Sequence, residues 1–137
     1  MEHINISNKS KYIVFSNIAG ILDANTNSYS VKTEYNEDSD IPIITVNSNF
    51  EPIKIKKNFD IYWLTIVNVT TFGRTYTECA DLDLECFDLM KAKFETLKDY
   101  GMTLNDISDN DILPFDRDDD RVFTTNKTYT FIIANNV

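Results

Sequence analysis

The segment from Asp60 to Thr70, DIYWLTIVNVT, constrains the fold more than any other part of the sequence. Its alternate positions form two rows of side chains, and both rows are largely apolar. Successive side chains of a strand point to opposite faces of a sheet, and two largely apolar rows are typical of a strand in the interior of a sheet. The segment therefore predicts the central strand of a sheet.

A long helix is predicted directly after this strand, over residues 76 to about 100. Thr75 and Glu78 have the spacing of a capping box, and Gly101 suits the position just after a helix. The acidic residues Asp81, Asp83, Glu85 and Asp88 are expected mostly on the exposed side. The apolar residues that step by three or four, and that are expected to pack on the sheet, are Ala80, Leu84, Phe87, Met90, Phe94 and Leu97.

The flanking segments complete the pattern of elements. Apolar spacing predicts a helix from Lys11 to Ala24, with a strand from Tyr12 to Phe15 as the competing interpretation. The order is α-β-β-β-α-β, with Met102 to Leu113 as an acidic, irregular loop. The predicted strands are Tyr29 to Tyr35, Ile41 to Val46, the central strand and Arg121 to Asn135, while Ile53 to Lys57 is a short strand or a loop.

These elements predict an α+β fold: a mixed, mainly antiparallel β-sheet with the long helix and the N-terminal helix packed on it. With 137 residues, the chain has the usual size of one domain, and we assign residues 1–137 to a single domain. No signal-peptide pattern and no membrane-spanning apolar run is visible, which predicts a soluble chain made in a cytosol.

The acidic composition excludes one common class of partner. The formal net charge is −9, and affinity for a phosphate backbone comes from Lys and Arg. Two interpretations that use acidity remain open. The chain either mimics DNA or lets DNA pass without binding it.

No motif predicts an enzyme or a cofactor site. The three glycines are isolated, so no phosphate-binding loop can be written, and His3 is the only histidine for a triad. Cys79 and Cys86 lie too far apart along one helix for a disulfide, and we expect two free, partly buried thiols. The sequence therefore predicts neither catalysis nor a resident metal.

The segment FDRDDDRVFTT, from Phe115 to Thr125, is the strongest candidate for a metal site. Asp116, Asp118 and Asp120 match the first three ligands of a calcium loop. Arg121 stands where the sharp turn requires Gly, and Lys127 stands where the loop requires a bidentate Glu. These two cationic replacements argue against calcium, and a solvated turn remains an alternative for the cluster.

Three segments in order resemble the tail terminator, or tail completion, proteins of long-tailed bacteriophages of the lambda type. The first is YNEDSDIPIITV, an acidic turn before an apolar strand. The second is DIYWLTIVNVTTFGRTYTECADLDLECFDLM, the central strand leading into the long helix. The third is DRDDDRVFTTNKTYTFII, an Arg/Asp-rich turn before the last strand. The resemblance covers roughly residues 29 to 137.

The resemblance implies a structural virion protein of the tail or neck, assembled in the host cytoplasm. In that family the subunits form a ring, usually a hexamer, that caps the head-proximal end of the tail tube and ends its polymerisation. The implied partners are further copies of the chain, the tail tube protein and the head connector. DNA passes through such a ring without specific binding, and no membrane, cofactor or metal is implied.

A closed ring needs head-to-tail contacts, and charge pairs suit such contacts because they fix the register between subunits. Thr128 to Ile133 is predicted as an edge strand that pairs across subunits or with the tube protein. The alternative function is an acidic DNA mimic that inhibits a host restriction or CRISPR nuclease. The candidate interface residues are Asp116, Arg117, Asp118, Asp119, Asp120, Arg121, Thr128 and Thr130.

Overall fold

A computed structural model describes residues 16–23, 31–32, 35, 40–54, 61–99, 101–117 and 120–134. Within these ranges only the backbone is described for residues 50–54, 61–62 and 134. Residues 16–22 form the described part of the first helix, α1. The other elements are β1 (Val31–Lys32), β2 (Ile43–Lys54), β3 (Ile61–Gly73), α2 (Tyr76–Asp99), β4 (Met102–Asp109), β5 (Leu113–Arg117) and β6 (Asp120–Ala134).

The six strands form one sheet in the order β1-β2-β3-β6-β4, and β5 also pairs with β6. Among the described strands, only the β1–β2 pair is parallel, and the other pairs are antiparallel. The predicted α+β class, with a mixed and mainly antiparallel sheet and a long helix, is confirmed.

β3 is central in this sheet, as predicted, because β2 and β6 pair with it on its two sides. Its two rows of side chains differ in burial, however. Trp63, Val67 and Val69 are buried in the core, whereas Leu64 and Ile66 on the other row are only half-buried. The central position is thus confirmed, and the row with Leu64 and Ile66 is less buried than the row with Trp63, Val67 and Val69.

The two faces of the sheet have different covers. We call one the helix-covered face, because its side chains share a core cluster with Ile18 and Leu22 of α1 and with Met90 of α2. The N-terminal helix thus packs on the sheet as predicted. We call the other the open face; no described helix packs on it, and it comprises Asn47 of β2, Leu64, Ile66, Asn68 and Thr70 of β3, and Asn126, Thr128, Thr130 and Ile132 of β6.

The residues with which α2 meets the sheet differ from the predicted stripe in the first half of the helix. Leu84 is 57% exposed, while Cys79, Leu82, Cys86, Met90 and Leu97 are buried. Asp83 is also only partly exposed and turns toward the sheet, contrary to the prediction. The contact face is therefore set by the two cysteines, which act here as small apolar residues.

Both ends of α2 form as the sequence predicts. The Glu78 backbone N–H donates to Thr75 Oγ1 at 3.0 Å, and Glu78 Oε1 accepts from the Arg74 backbone N–H at 2.7 Å. Gly101 has φ of 83°, which a residue with a side chain rarely adopts. Gly73 is also required by space, since a Cβ there would lie 2.6 Å from the Cys79 backbone nitrogen.

The segment from Met102 to Leu113 is not the predicted irregular loop. Residues 102–109 form β4, which pairs with β6, and β5 begins at Leu113. Asp106 and Asp109 are exposed, so the charges expected of a loop occupy the outer positions of an edge strand. Exposed charge on an edge strand opposes unwanted pairing with other chains.

Three other strand predictions need adjustment. β2 extends unbroken from Ile43 to Lys54, so Ile53 and Lys54 end this strand and do not start a separate one. Ile43 to Val46 are all buried. For the segment from Tyr29 to Tyr35, the structure describes a strand only at Val31–Lys32, and Tyr29, Ser30, Thr33 and Glu34 lie outside the described residues.

Candidate interaction surface

The predicted charged turn is a β-hairpin between β5 and β6. Asp116 lies opposite Arg121, and Arg117 lies opposite Asp120. Asp118 and Asp119 would connect the strands but lie outside the described residues. The alternating signs of the sequence therefore form charge pairs within the chain, across one pair of strands.

Both charge pairs are long single contacts. The distance is 3.6 Å from Arg117 Nη2 to Asp120 Oδ2 and 3.7 Å from Arg121 Nε to Asp116 Oδ1. The four side chains are not equally exposed, because Arg117 is 15% exposed and the other three are 65% exposed or more. Exposed pairs of this kind contribute little to stability.

The hairpin is held in place by an aromatic cluster. Phe115 of β5 meets Tyr35 and Phe72 edge-on, with ring centroids 5.8 Å and 6.2 Å away, and Tyr35 stacks on Phe72 at 4.5 Å. The cluster packs with Ile41, Ile43 and Val122 in a second, smaller core. This core covers the end of the sheet where β2 and β6 begin.

Arg117 lies beside Tyr35 of this second core. The pKa of Arg117 is raised above its ordinary value, first by the neighbouring Tyr35 hydroxyl and then by Asp120, while burial opposes them. The Tyr35 hydroxyl is buried and has no hydrogen bond of good geometry within the described residues. Arg117 is therefore a fixed cation whose surroundings are partly apolar.

A cavity of about 410 Å³ lies beside the hairpin. We call it the arginine cavity, because it is lined by Ile41, Arg74, Arg117, Asp120, Arg121 and Val122. Arg74, Arg117 and Arg121 are all the arginines of the chain. Sequence reasoning found the two in the hairpin and missed Arg74, which the end of β3 brings next to the start of β6.

The open face carries a network of side-chain hydrogen bonds across three strands. The Asn68 Nδ2 donates to Asn47 Oδ1 at 3.1 Å, and Asn68 Oδ1 accepts from Thr128 Oγ1 at 2.8 Å and from Asn126 Nδ2 at 3.3 Å. Thr70 Oγ1 donates to Asn126 Oδ1 at 3.1 Å. These bonds fix the side chains relative to one another, so the surface is ordered before any partner binds.

Thr128 and Thr130 both lie on this open face, but β6 is not an edge strand. It pairs with β3 on one side and with β4 and β5 on the other. The predicted pairing of this strand across subunits is therefore wrong, because its backbone groups are already used. Only its side chains remain to contact a partner.

The helix-covered face contains one group of charges. Lys127 is 9% exposed, and its Nζ lies 3.4 Å from Asp83 Oδ2, 3.2 Å from Asp109 Oδ1 and 4.5 Å from the Phe87 ring centroid. Burial raises the pKa of Asp83, and Lys127 opposes this shift. Lys127 thus ties α2 to β4 and β6.

The described residues contain no group of three or more His, Cys, Asp or Glu side chains that could hold a metal ion. Asp118 and Asp119 of the aspartate cluster lie outside the described residues. Lys127, which stands at the last calcium-loop position, points to the helix-covered face and is engaged by Asp83 and Asp109.

Both cysteines are free, as predicted, and they are fully and not only partly buried. Burial is the main reason why the pKa of Cys79 is raised and why that of Cys86 is raised to about 12. Both are therefore protonated at neutral pH, and a protonated thiol is a poor nucleophile.

No protein-family model matches this chain, and no curated protein shows significant similarity to it. Among the described residues, no helix is both long enough and apolar enough to cross a bilayer. The function must therefore be inferred from the surfaces described above.

Proposed function

We propose that this chain is a structural assembly protein of the tail terminator kind, which forms a ring on the end of a phage tail tube. The ring ends polymerisation of the tube and presents a surface to the head connector. The open face is the observation that carries the proposal. It is an ordered surface of polar side chains with half-buried Leu64, Ile66 and Ile132 beside them.

The open face fits a protein contact better than it fits catalysis. Its Asn and Thr side chains are hydrogen-bonded to one another, so they can meet a partner without first losing much conformational freedom. The residues that form the network contain no acid, base or nucleophile matched to a reaction at neutral pH. A partner would cover the apolar side chains and find hydrogen-bonding groups already in position.

The distribution of charge is also compatible with a ring that DNA traverses. The net charge of −9 repels a phosphate backbone within a Debye length. The alternative, an acidic DNA mimic, needs carboxylates in rows over much of the surface. On the second half of α2, exposed Lys91, Lys93 and Lys98 lie among the exposed acids Glu95 and Asp99, which interrupts such a row.

The proposal is tested by removing the gene from the genome that encodes the chain and imaging the particles by electron microscopy. We expect tails of abnormal length, or tails that do not join heads. Normal, joined virions would rule out a terminator. Tight binding of the purified chain to a restriction enzyme or CRISPR nuclease would instead support the DNA-mimic alternative.

A further inference from the structure

The arginine cavity brings together all three arginines of an acidic chain. The sequence contains three arginines among 137 residues, and they come from two separated segments. Antiparallel pairing of β3 with β6 and of β6 with β5 brings all three to one cavity at the end of the sheet. Asp120 is the one carboxylate among the described lining residues.

The described lining residues do not balance one another's charge. Their three guanidinium groups and one carboxylate sum to a formal charge of +2 in a chain of −9, while Asp118 and Asp119, which lie between Arg117 and Asp120 in the sequence, are outside the described residues. Arg74 is exposed and forms no ion pair with the described residues. The contact of Arg121 with Asp116, at 3.7 Å, is well beyond the roughly 2.7–2.9 Å of a good charge-assisted hydrogen bond.

We propose that the arginine cavity binds a phosphate group. A guanidinium presents its donors in a planar fork that matches phosphate and carboxylate oxygens. A carboxylate carries one charge and two oxygens, which a single arginine can satisfy. A phosphate group carries about −1.5 to −2 charge and three acceptor oxygens, so it matches a cavity lined by three arginines better than a carboxylate does.

The structure also indicates where the rest of such a ligand lies. Ile41 and Val122, both buried, are the apolar residues among the described lining residues, beside the arginines. The volume of about 410 Å³ exceeds that of a single ion, so the organic part of a small phosphate ester has room inside. Phosphate on a DNA duplex is the other source, and the net charge of −9 opposes it.

The test is titration calorimetry of the full chain with inorganic phosphate and, separately, with a short DNA duplex, both at constant ionic strength. We expect phosphate to bind and Arg74→Ala to weaken that binding by about tenfold, the loss expected for one charged hydrogen-bonding partner. Lys93→Ala is the matched control. It removes one exposed positive charge from α2 outside the cavity lining, and should change binding less than about twofold.

A second measurement uses the wild-type chain alone. An arginine-specific dicarbonyl reagent can react only with the three arginines of the cavity, and phosphate should slow labelling of Arg74 and Arg121. If the DNA duplex binds and Arg74→Ala weakens this binding, the site is assigned to nucleic-acid phosphate. The proposal is overturned if neither source binds, if phosphate gives no protection, or if Arg74→Ala and Lys93→Ala weaken binding equally.

Discussion

The two faces of the sheet use the same strands for opposite purposes. On β6, Tyr129, Phe131 and Ile133 are fully buried on the helix-covered face. Their neighbours Thr128, Thr130 and Ile132 lie half-buried on the open face. Because side chains alternate along a strand, one segment both completes the core and builds the candidate interaction surface. Stability and interaction can therefore be changed separately, one residue apart.

The largest effect is expected from two adjacent substitutions on β6. Phe131→Ala should reduce the free energy of unfolding by about 3–5 kcal/mol, because it leaves a cavity in the core. Ile132→Ala removes a half-exposed side chain and should cost about 1 kcal/mol. Urea denaturation measures both variants, and equal losses would show that the two faces are equally important for folding.

Lys127 provides the next test, because it is the one buried charge on the helix-covered face among the described residues. Lys127→Ala leaves Asp83 partly buried without its cation, and should cost about 2 kcal/mol at neutral pH. Removing Lys127 also removes the influence that lowers the pKa of Asp83, so this pKa should rise further.

The sign of the pH dependence follows from that raised pKa. A carboxyl whose pKa is higher in the folded state than when unfolded binds more protons when folded, so stability falls as pH rises above the unfolded value, 3.8. The difference between Lys127→Ala and wild type should therefore be smaller near pH 4 than at pH 7. A difference that does not change with pH would exclude Asp83 as its cause.

The network on the open face should contribute less. Asn68→Ala removes the side chain that links Asn47, Asn126 and Thr128, and should cost about 1 kcal/mol, since water can replace the lost bonds. Asn49→Ala is the control on the neighbouring strand, because Asn49 is exposed and outside the network. The midpoints of thermal unfolding of the two variants should differ by a few degrees.

The smallest effect is expected at the hairpin. Arg121→Gln breaks an exposed contact of 3.7 Å and should change the free energy of unfolding by less than about 0.5 kcal/mol. Added salt should reduce even that difference. If urea denaturation shows that the free energy of unfolding falls by more than about 1 kcal/mol, the hairpin charges stabilise the fold and are not reserved for a contact surface.

The parts of the fold that could be predicted from sequence are those with strong local signals. The apolar rows of β3 and the capping residues of α2 are examples. β4 was missed because Asp106 and Asp109 interrupt its apolar pattern, as suits an exposed edge. The face of α2 was partly misassigned because Cys79 and Cys86 were not counted as apolar.

The candidate sites depend on pairing that no local pattern contains. Arg74 meets the hairpin only because β3 ends beside the start of β6. Likewise, Asn47, Asn68 and Asn126 form one network only in the observed register of β2, β3 and β6. The only advance signal was compositional: a chain with very few arginines has two of them in one short turn.

The most direct test of the account places a charge on the open face without disturbing the core. Thr128→Lys, introduced into the genome that encodes the chain, should give tails of abnormal length while the purified variant retains nearly wild-type thermal stability. Asp88→Lys, on the exposed side of α2, is the control and should give normal tails. Normal, joined tails with Thr128→Lys would contradict the assignment of the open face as the assembly surface.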